Sequence, residues 1–132
     1  MKYLLDSDIL IDYFDGKIEI KDRVEGYIRE GSAISTIAYM EALEGRLRSG
    51  SLSEVTGELD WLIRPIRVIP VSREIGIVCA EIRAVLRIQK KRVRPRALDP
   101  LIAATAIEFD LTLITRNRDD YHDIPGLVMV NP

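Results

Sequence analysis

Short apolar runs alternate along this chain with longer stretches of helical period, and no other feature limits its fold as much. KYLL (2–5) reads as a first strand, and ILIDYFDG as a short helix ending near Gly16. Residues 20–30 follow as an amphipathic helix with Val24, Tyr27 and Ile28 on one face, then SAIST (32–36) as a second strand. Helices from Ile37 to about Arg48 and from Ser53 to about Ile63 precede a strand at IRVIPV (66–71). The clearest stripe lies in residues 73–89, where Ile75, Val78, Cys79, Ile82, Val85 and Leu86 recur at helical spacing. Asp99-Pro100 has the form of an N-cap followed by proline and opens the helix LIAATAIEF. LTLIT (111–115) and LVMV (127–130) are the last strands. This alternation predicts an α/β protein, a three-layer α/β/α sandwich around a mostly parallel sheet. With 132 residues, no repeat and no Gly/Ser linker, the expectation is one domain spanning 1–132.

In open parallel sheets, ligands sit outside the carboxyl ends of the strands. Asp6 comes directly after KYLL, Glu41 and Glu44 ride on the helix after SAIST, and Asn117, Asp119 and Asp120 follow LTLIT. Asp99 starts the helix that leads into LTLIT. Four segments thus send acids or a carboxamide toward one edge, where like charges repel unless a cation neutralises them. With one histidine and one cysteine in the chain, hard oxygen donors of this kind suit Mg²⁺ or Mn²⁺ rather than Zn²⁺. Such a metal would polarise a phosphodiester and lower the pKa of an attacking water.

Each residue also has a plainer reading. Asp8 and Asp12 serve as helix-start charges, Asp99 as an N-cap, Asp119 and Asp120 as part of a polar turn. Glu41 and Glu44, three apart, are not both buried, so one faces solvent. His122 belongs to a surface loop, Cys79 to the core and Trp61 to the core's edge. Ser7, Ser35, Thr36 and Thr115 are candidates to hydrogen-bond the carboxylates.

Charge excludes some functions. The net charge is −2, but residues 1–60 hold 7 Lys/Arg against 13 Asp/Glu, while residues 61–132 hold 12 against 8. Six of the ten residues in RIQKKRVRPR (87–96) are basic. That balance argues against general coating of nucleic acid and for a local phosphate-contacting patch. No apolar run approaches the roughly 20 residues needed to cross a bilayer, and the N-terminus lacks a secretory signal. A lone cysteine agrees with a reducing, cytoplasmic setting.

Three stretches, LLDSDILIDYF, ISTIAYMEALEG and LDPLIAATAIEFDLTLITRNRDDY followed by IPGLVMVNP, resemble PIN-domain proteins of the VapC toxin type. EIGIVCAEIRAVLRIQ and the basic block before Asp99 extend the likeness over nearly the whole chain. The resemblance implies a PIN-like fold and a metal-dependent endoribonuclease, the toxin of a type II toxin–antitoxin pair. It implies that Asp6 and Asp99 hold Mg²⁺ (or Mn²⁺), with Glu41 and either Asn117 or Asp120 positioning water. Asp8, where the family usually has asparagine, and Thr115 would support that group. Arg92, Arg94, Arg96, Arg116 and Arg118 are candidates to hold RNA phosphates. A small VapB-like antitoxin and a second copy in a homodimer are the implied partners. Two rival readings stand beside it. Asp6-Ser7-Asp8 after an apolar strand also fits a haloacid-dehalogenase-type phosphatase with Asp6 as nucleophile, although no small hydroxyl residue follows where that family expects one. Asparagine at 117 also allows a PIN-fold binding module without activity. A receiver-type signalling domain fits less well, because its neighbouring aspartate pair and late lysine are not in the expected places.

Overall fold

In the computed structural model, which describes residues 1–89 and 97–132, successive strand residues face opposite sides of one sheet. Leu4 of β1 (Tyr3–Leu5), Ala33 of β2 (Ser32–Ser35) and Leu113 of β4 (Thr112–Ile114) enter one apolar cluster. Their neighbours Leu5, Ile34 and Ile114 enter a second. Both faces of the sheet are therefore covered, which is why its strands read as unbroken apolar runs.

With β3 (Arg67–Ile69) and β5 (Met129–Val130), the strands lie in the order β3-β2-β1-β4-β5, and every pairing is parallel. The chain first steps from β1 outward to β2 and β3, then returns across the sheet to β4 and β5. Parallel crossovers share one hand, so steps in opposite directions place their helices on opposite faces. Accordingly α1 (Ser7–Phe14), α2 (Ile18–Gly31), α3 (Thr36–Arg46) and α4 (Leu52–Leu62) bury Ile9, Leu10, Val24, Ala38 and Leu59 on one side. The other side takes α5 (Arg73–Ile88), α6 (Asp99–Glu108) and the short α7 (Arg118–Tyr121). These are the three expected layers.

Residue choice explains how the helices sit. Three small residues, Ala103, Ala104 and Ala106, let α6 lie close to the sheet, and α5 packs over it with Ile75, Cys79, Ile82 and Leu86. α6 is consequently buried nearly all round. Ser72 caps α5 by accepting the Ile75 N–H at 3.2 Å, and Ser51 caps α4 by accepting the Glu54 N–H at 3.3 Å while its hydroxyl donates to the Glu54 carboxylate. A serine cap contributes about 1 kcal/mol.

The structure departs from the sequence expectations at several points. Leu98, already helical at φ −89° and ψ −13°, caps α6, so Asp99 is its first helical residue rather than its cap. Thr36 opens α3 instead of ending β2, because the Ser35 hydroxyl accepts the Ile37 N–H and turns the chain. Asp119 and Asp120 belong to α7, not to a turn. Trp61 is 65% exposed rather than at the core's edge. It lies two positions beyond buried Leu59 and so faces away from it, with the Arg64 guanidinium 3.9 Å from the ring centroid. Cys79 is buried, His122 is exposed and Glu44 faces solvent, all as expected. Arg92, Arg94 and Arg96 lie outside the described residues.

Candidate functional site

The order of the strands reverses between β1 and β4, and this is where an open α/β sheet has its crevice. Leu5 pairs with Ile114, so the next residues, Asp6 and Thr115, leave the sheet side by side at its carboxyl edge. The Asp6 N–H donates to the Ile114 carbonyl at 3.0 Å, and Asp6 then caps α1.

Asp6 is completely buried, and its carboxylate accepts three hydrogen bonds. The Ser7 N–H donates to Oδ1 at 2.8 Å, the Tyr121 hydroxyl to Oδ1 at 3.0 Å, and the Thr115 hydroxyl to Oδ2 at 2.8 Å. A buried carboxylate is costly unless donors surround it, and the N-terminus of α1 adds a favourable partial charge.

The other two acids of the opening stretch grip the loop after β4. Asp8 Oδ2 accepts the Arg116 N–H at 3.0 Å, while its Oδ1 accepts the Ile9 N–H at 2.8 Å. Asp12, one helical turn further, is buried and pairs with the Arg116 guanidinium and with Lys17 at 3.0 Å. Asp8 does act as a first-turn charge of α1, but Asp12 does not; it lies in the last turn, where pairing with two cations compensates its burial.

Burial, and then the neighbouring Asp6 charge, raise the Asp8 pKa above its ordinary value of 3.8, against the opposing pull of the Arg116 and Ile9 N–H groups. The folded protein thus holds this proton more tightly than the unfolded chain. Its contribution to stability is full below pH 3.8 and is lost as pH rises through the folded pKa. Carboxyl-carbon NMR of the metal-free protein is expected to show Asp8 titrating above 3.8, and nearer 3.8 in Asp6→Asn. A midpoint at or below 3.8 in the wild type would contradict the burial argument.

The remaining candidates lie on α3, at the start of α6 and in the segment after β4. α3, which carries Glu41, packs against both α1 and α6. Glu41 is half-buried, and Asp99, at the start of α6, is 3% exposed. Asn117 is half-buried, and its N–H donates to Thr115 Oγ1 at 3.0 Å. Asp120 is exposed on α7. Arg116, Asn117, Arg118, Asp119 and Asp120 line a shallow polar cavity of about 320 Å³. A larger cavity, about 690 Å³, lies apart from the acids, with Tyr13, Phe14, Ile28 and Trp61 among its walls.

Among the described residues, no three His, Cys, Asp or Glu side chains form a group able to enclose a metal ion. The donors present are all oxygen, however, and Mg²⁺ typically binds one or two carboxylates and keeps several waters. Asp6 and Asp99 fit that habit chemically.

A family model for the PIN domain matches residues 3–127. The chain belongs to the PIN-domain family. Its membership replaces the phosphatase and receiver readings of Asp6-Ser7-Asp8. Solved structures similar to this PIN domain include VapBC2 from Rickettsia felis bound to a DNA fragment from their promoter, at 25% identity and TM-score 0.85 over 100% of this chain and 99% of that one. DNA-bound VapBC from Salmonella typhimurium gives the same identity and TM-score over 99% and 98% of the two chains. A toxin–antitoxin complex from Klebsiella pneumoniae is 31% identical with a TM-score of 0.70, covering 96% of each chain. No curated protein sequence matches significantly. The VapC-type likeness seen in the sequence motifs agrees with these neighbours.

Two partners of the site escaped the sequence reading. Tyr121 was not singled out, although it is the one large apolar side chain between Ile114 and Ile124 and so the natural anchor of that polar stretch. The Asp12–Arg116 pair joins residues too distant in sequence for any local pattern to connect.

Proposed function

We propose that this PIN domain is a metal-dependent endoribonuclease and the toxin of a toxin–antitoxin pair. The observation that carries the reading is the buried Asp6 carboxylate, fixed by three donors at the sheet's switch point. Asp6 and Asp99 would hold Mg²⁺ or Mn²⁺. Bound there, the cation would offset the clustered negative charge, polarise the scissile phosphate and lower the pKa of the attacking water.

The chain's own groups do the rest. Glu41 orients the attacking water from α3, with Asn117 or Asp120 on the opposite flank. Half-burial and a backbone tied to Thr115 favour Asn117 over the exposed Asp120. Arg118 and Arg116, on the rim of the polar cavity, would contact RNA phosphates and position the strand without reading bases. In-line attack then breaks a phosphodiester and leaves a 3′-hydroxyl. A small antitoxin, supported by the toxin–antitoxin complexes among the structural neighbours, and a second copy of the chain, which the sequence resemblance implies, complete the proposal.

Purified protein with structured RNA is expected to cleave in Mg²⁺ or Mn²⁺ and to stop on chelation. Cleavage that persists in excess chelator would overturn the metal-dependent reading. RNA binding without cleavage under any of these cations would favour the inactive binding module.

A further inference from the structure

An ionised carboxylate has about four lone-pair sites, two on each oxygen. On Asp6, Oδ1 receives two donors, the Ser7 N–H at 2.8 Å and the Tyr121 hydroxyl at 3.0 Å. Among the described residues Oδ2 receives one, the Thr115 hydroxyl at 2.8 Å. From this count we infer that Tyr121 is a positioning residue that closes Oδ1 and leaves Asp6 a one-oxygen ligand through Oδ2. The inference rests on the proposed role of Asp6 as a metal ligand.

Tyr121 is well placed for this work. Its ring is fully buried in the apolar cluster on the α6 face of the sheet, so its hydroxyl is delivered by a packed anchor rather than by a surface side chain. The Ser7 N–H is fixed by the backbone of α1 and occupies the other lone pair of the same oxygen.

The consequence is a choice between cations. Mg²⁺ demands near-octahedral geometry, and the narrow bite of one carboxylate does not span an octahedral edge; Ca²⁺ takes six to eight oxygens and accepts a carboxylate through both. Closing Oδ1 therefore costs Mg²⁺ nothing and denies Ca²⁺ its second oxygen. Tyr121→Phe keeps the ring that fills the core and removes only the hydroxyl, which reopens Oδ1.

The test is Mn²⁺ binding to the full chain without nucleic acid, followed by electron paramagnetic resonance of free Mn²⁺, with Mg²⁺ or Ca²⁺ as competitor. Asp6→Asn should weaken Mn²⁺ binding at least tenfold, and Tyr121→Phe should strengthen Ca²⁺ relative to Mg²⁺ by roughly tenfold. General loosening of the site affects both competitors alike and leaves their ratio unmoved, so the ratio isolates the positioning role. A ratio that is unchanged or lower in Tyr121→Phe, with binding still dependent on Asp6, overturns the inference and leaves Asp6 as a ligand. Mn²⁺ binding that is absent, or indifferent to Asp6→Asn, overturns both.

Discussion

Asp6→Asn is expected to lower RNA cleavage by at least about 100-fold while the protein stays folded, the upper range for losing even an outer partner of a metal ligand. The reason lies in how the amide must turn. The Ser7 N–H and the Tyr121 hydroxyl both donate to Oδ1, so the asparagine oxygen goes there and its NH₂ takes the place of Oδ2. The Thr115 hydroxyl can rotate to accept from that NH₂, so the carboxamide keeps all three of its contacts. The position that offered a cation a lone pair now presents an N–H instead. Asp6→Ala behaves differently. It strips three buried donors of their acceptor at about 1–3 kcal/mol each, a large share of a typical total of about 5–15 kcal/mol. Urea unfolding should thus separate the two variants, with Asn near wild type and Ala severely destabilised. Cleavage by Asp6→Asn within tenfold of wild type would sink the assignment of Asp6.

How far the sequence carried depends on the range of each interaction. Leu4 and Leu5, Ala33 and Ile34, Leu113 and Ile114 announced two-sided strands because facing in a strand is a local property. Asp6 and Thr115 were legible for the same reason, as polar residues where apolar runs stop. Helix boundaries slipped by a residue or two where the cap depended on backbone angles, as at Leu98 and Ser35. Asp12 was misjudged because its partner Arg116 arrives from the other end of the chain, beside β1 only once the parallel sheet has formed. Tyr121 was invisible as a site residue on similar grounds: its hydroxyl meets Asp6 across 115 positions of sequence. Local pattern locates the strand ends; the partners that hold them are a product of topology.

Thr115→Val is expected to destabilise the fold by about 1–3 kcal/mol and to slow cleavage by about 10–100-fold. Valine matches threonine in shape, so the loss comes from the hydroxyl alone. That hydroxyl has two duties, donating to Asp6 Oδ2 at 2.8 Å and accepting the Asn117 N–H at 3.0 Å. Without it, the part-buried Asn117 N–H loses its acceptor, and the loop carrying Asn117 loses its tie to the acid. The Asp6 oxygen proposed to face the cation also loses its one donor among the described residues. Serine at 115 restores both bonds and gives up one methyl group, so Thr115→Ser should recover most of the rate. Stability is read from urea midpoints, and activity from initial rates on the same RNA. If Thr115→Val lost the expected stability but cleaved at the wild-type rate, Thr115 would merely hold the loop, and the orientation of Asp6 would not depend on it.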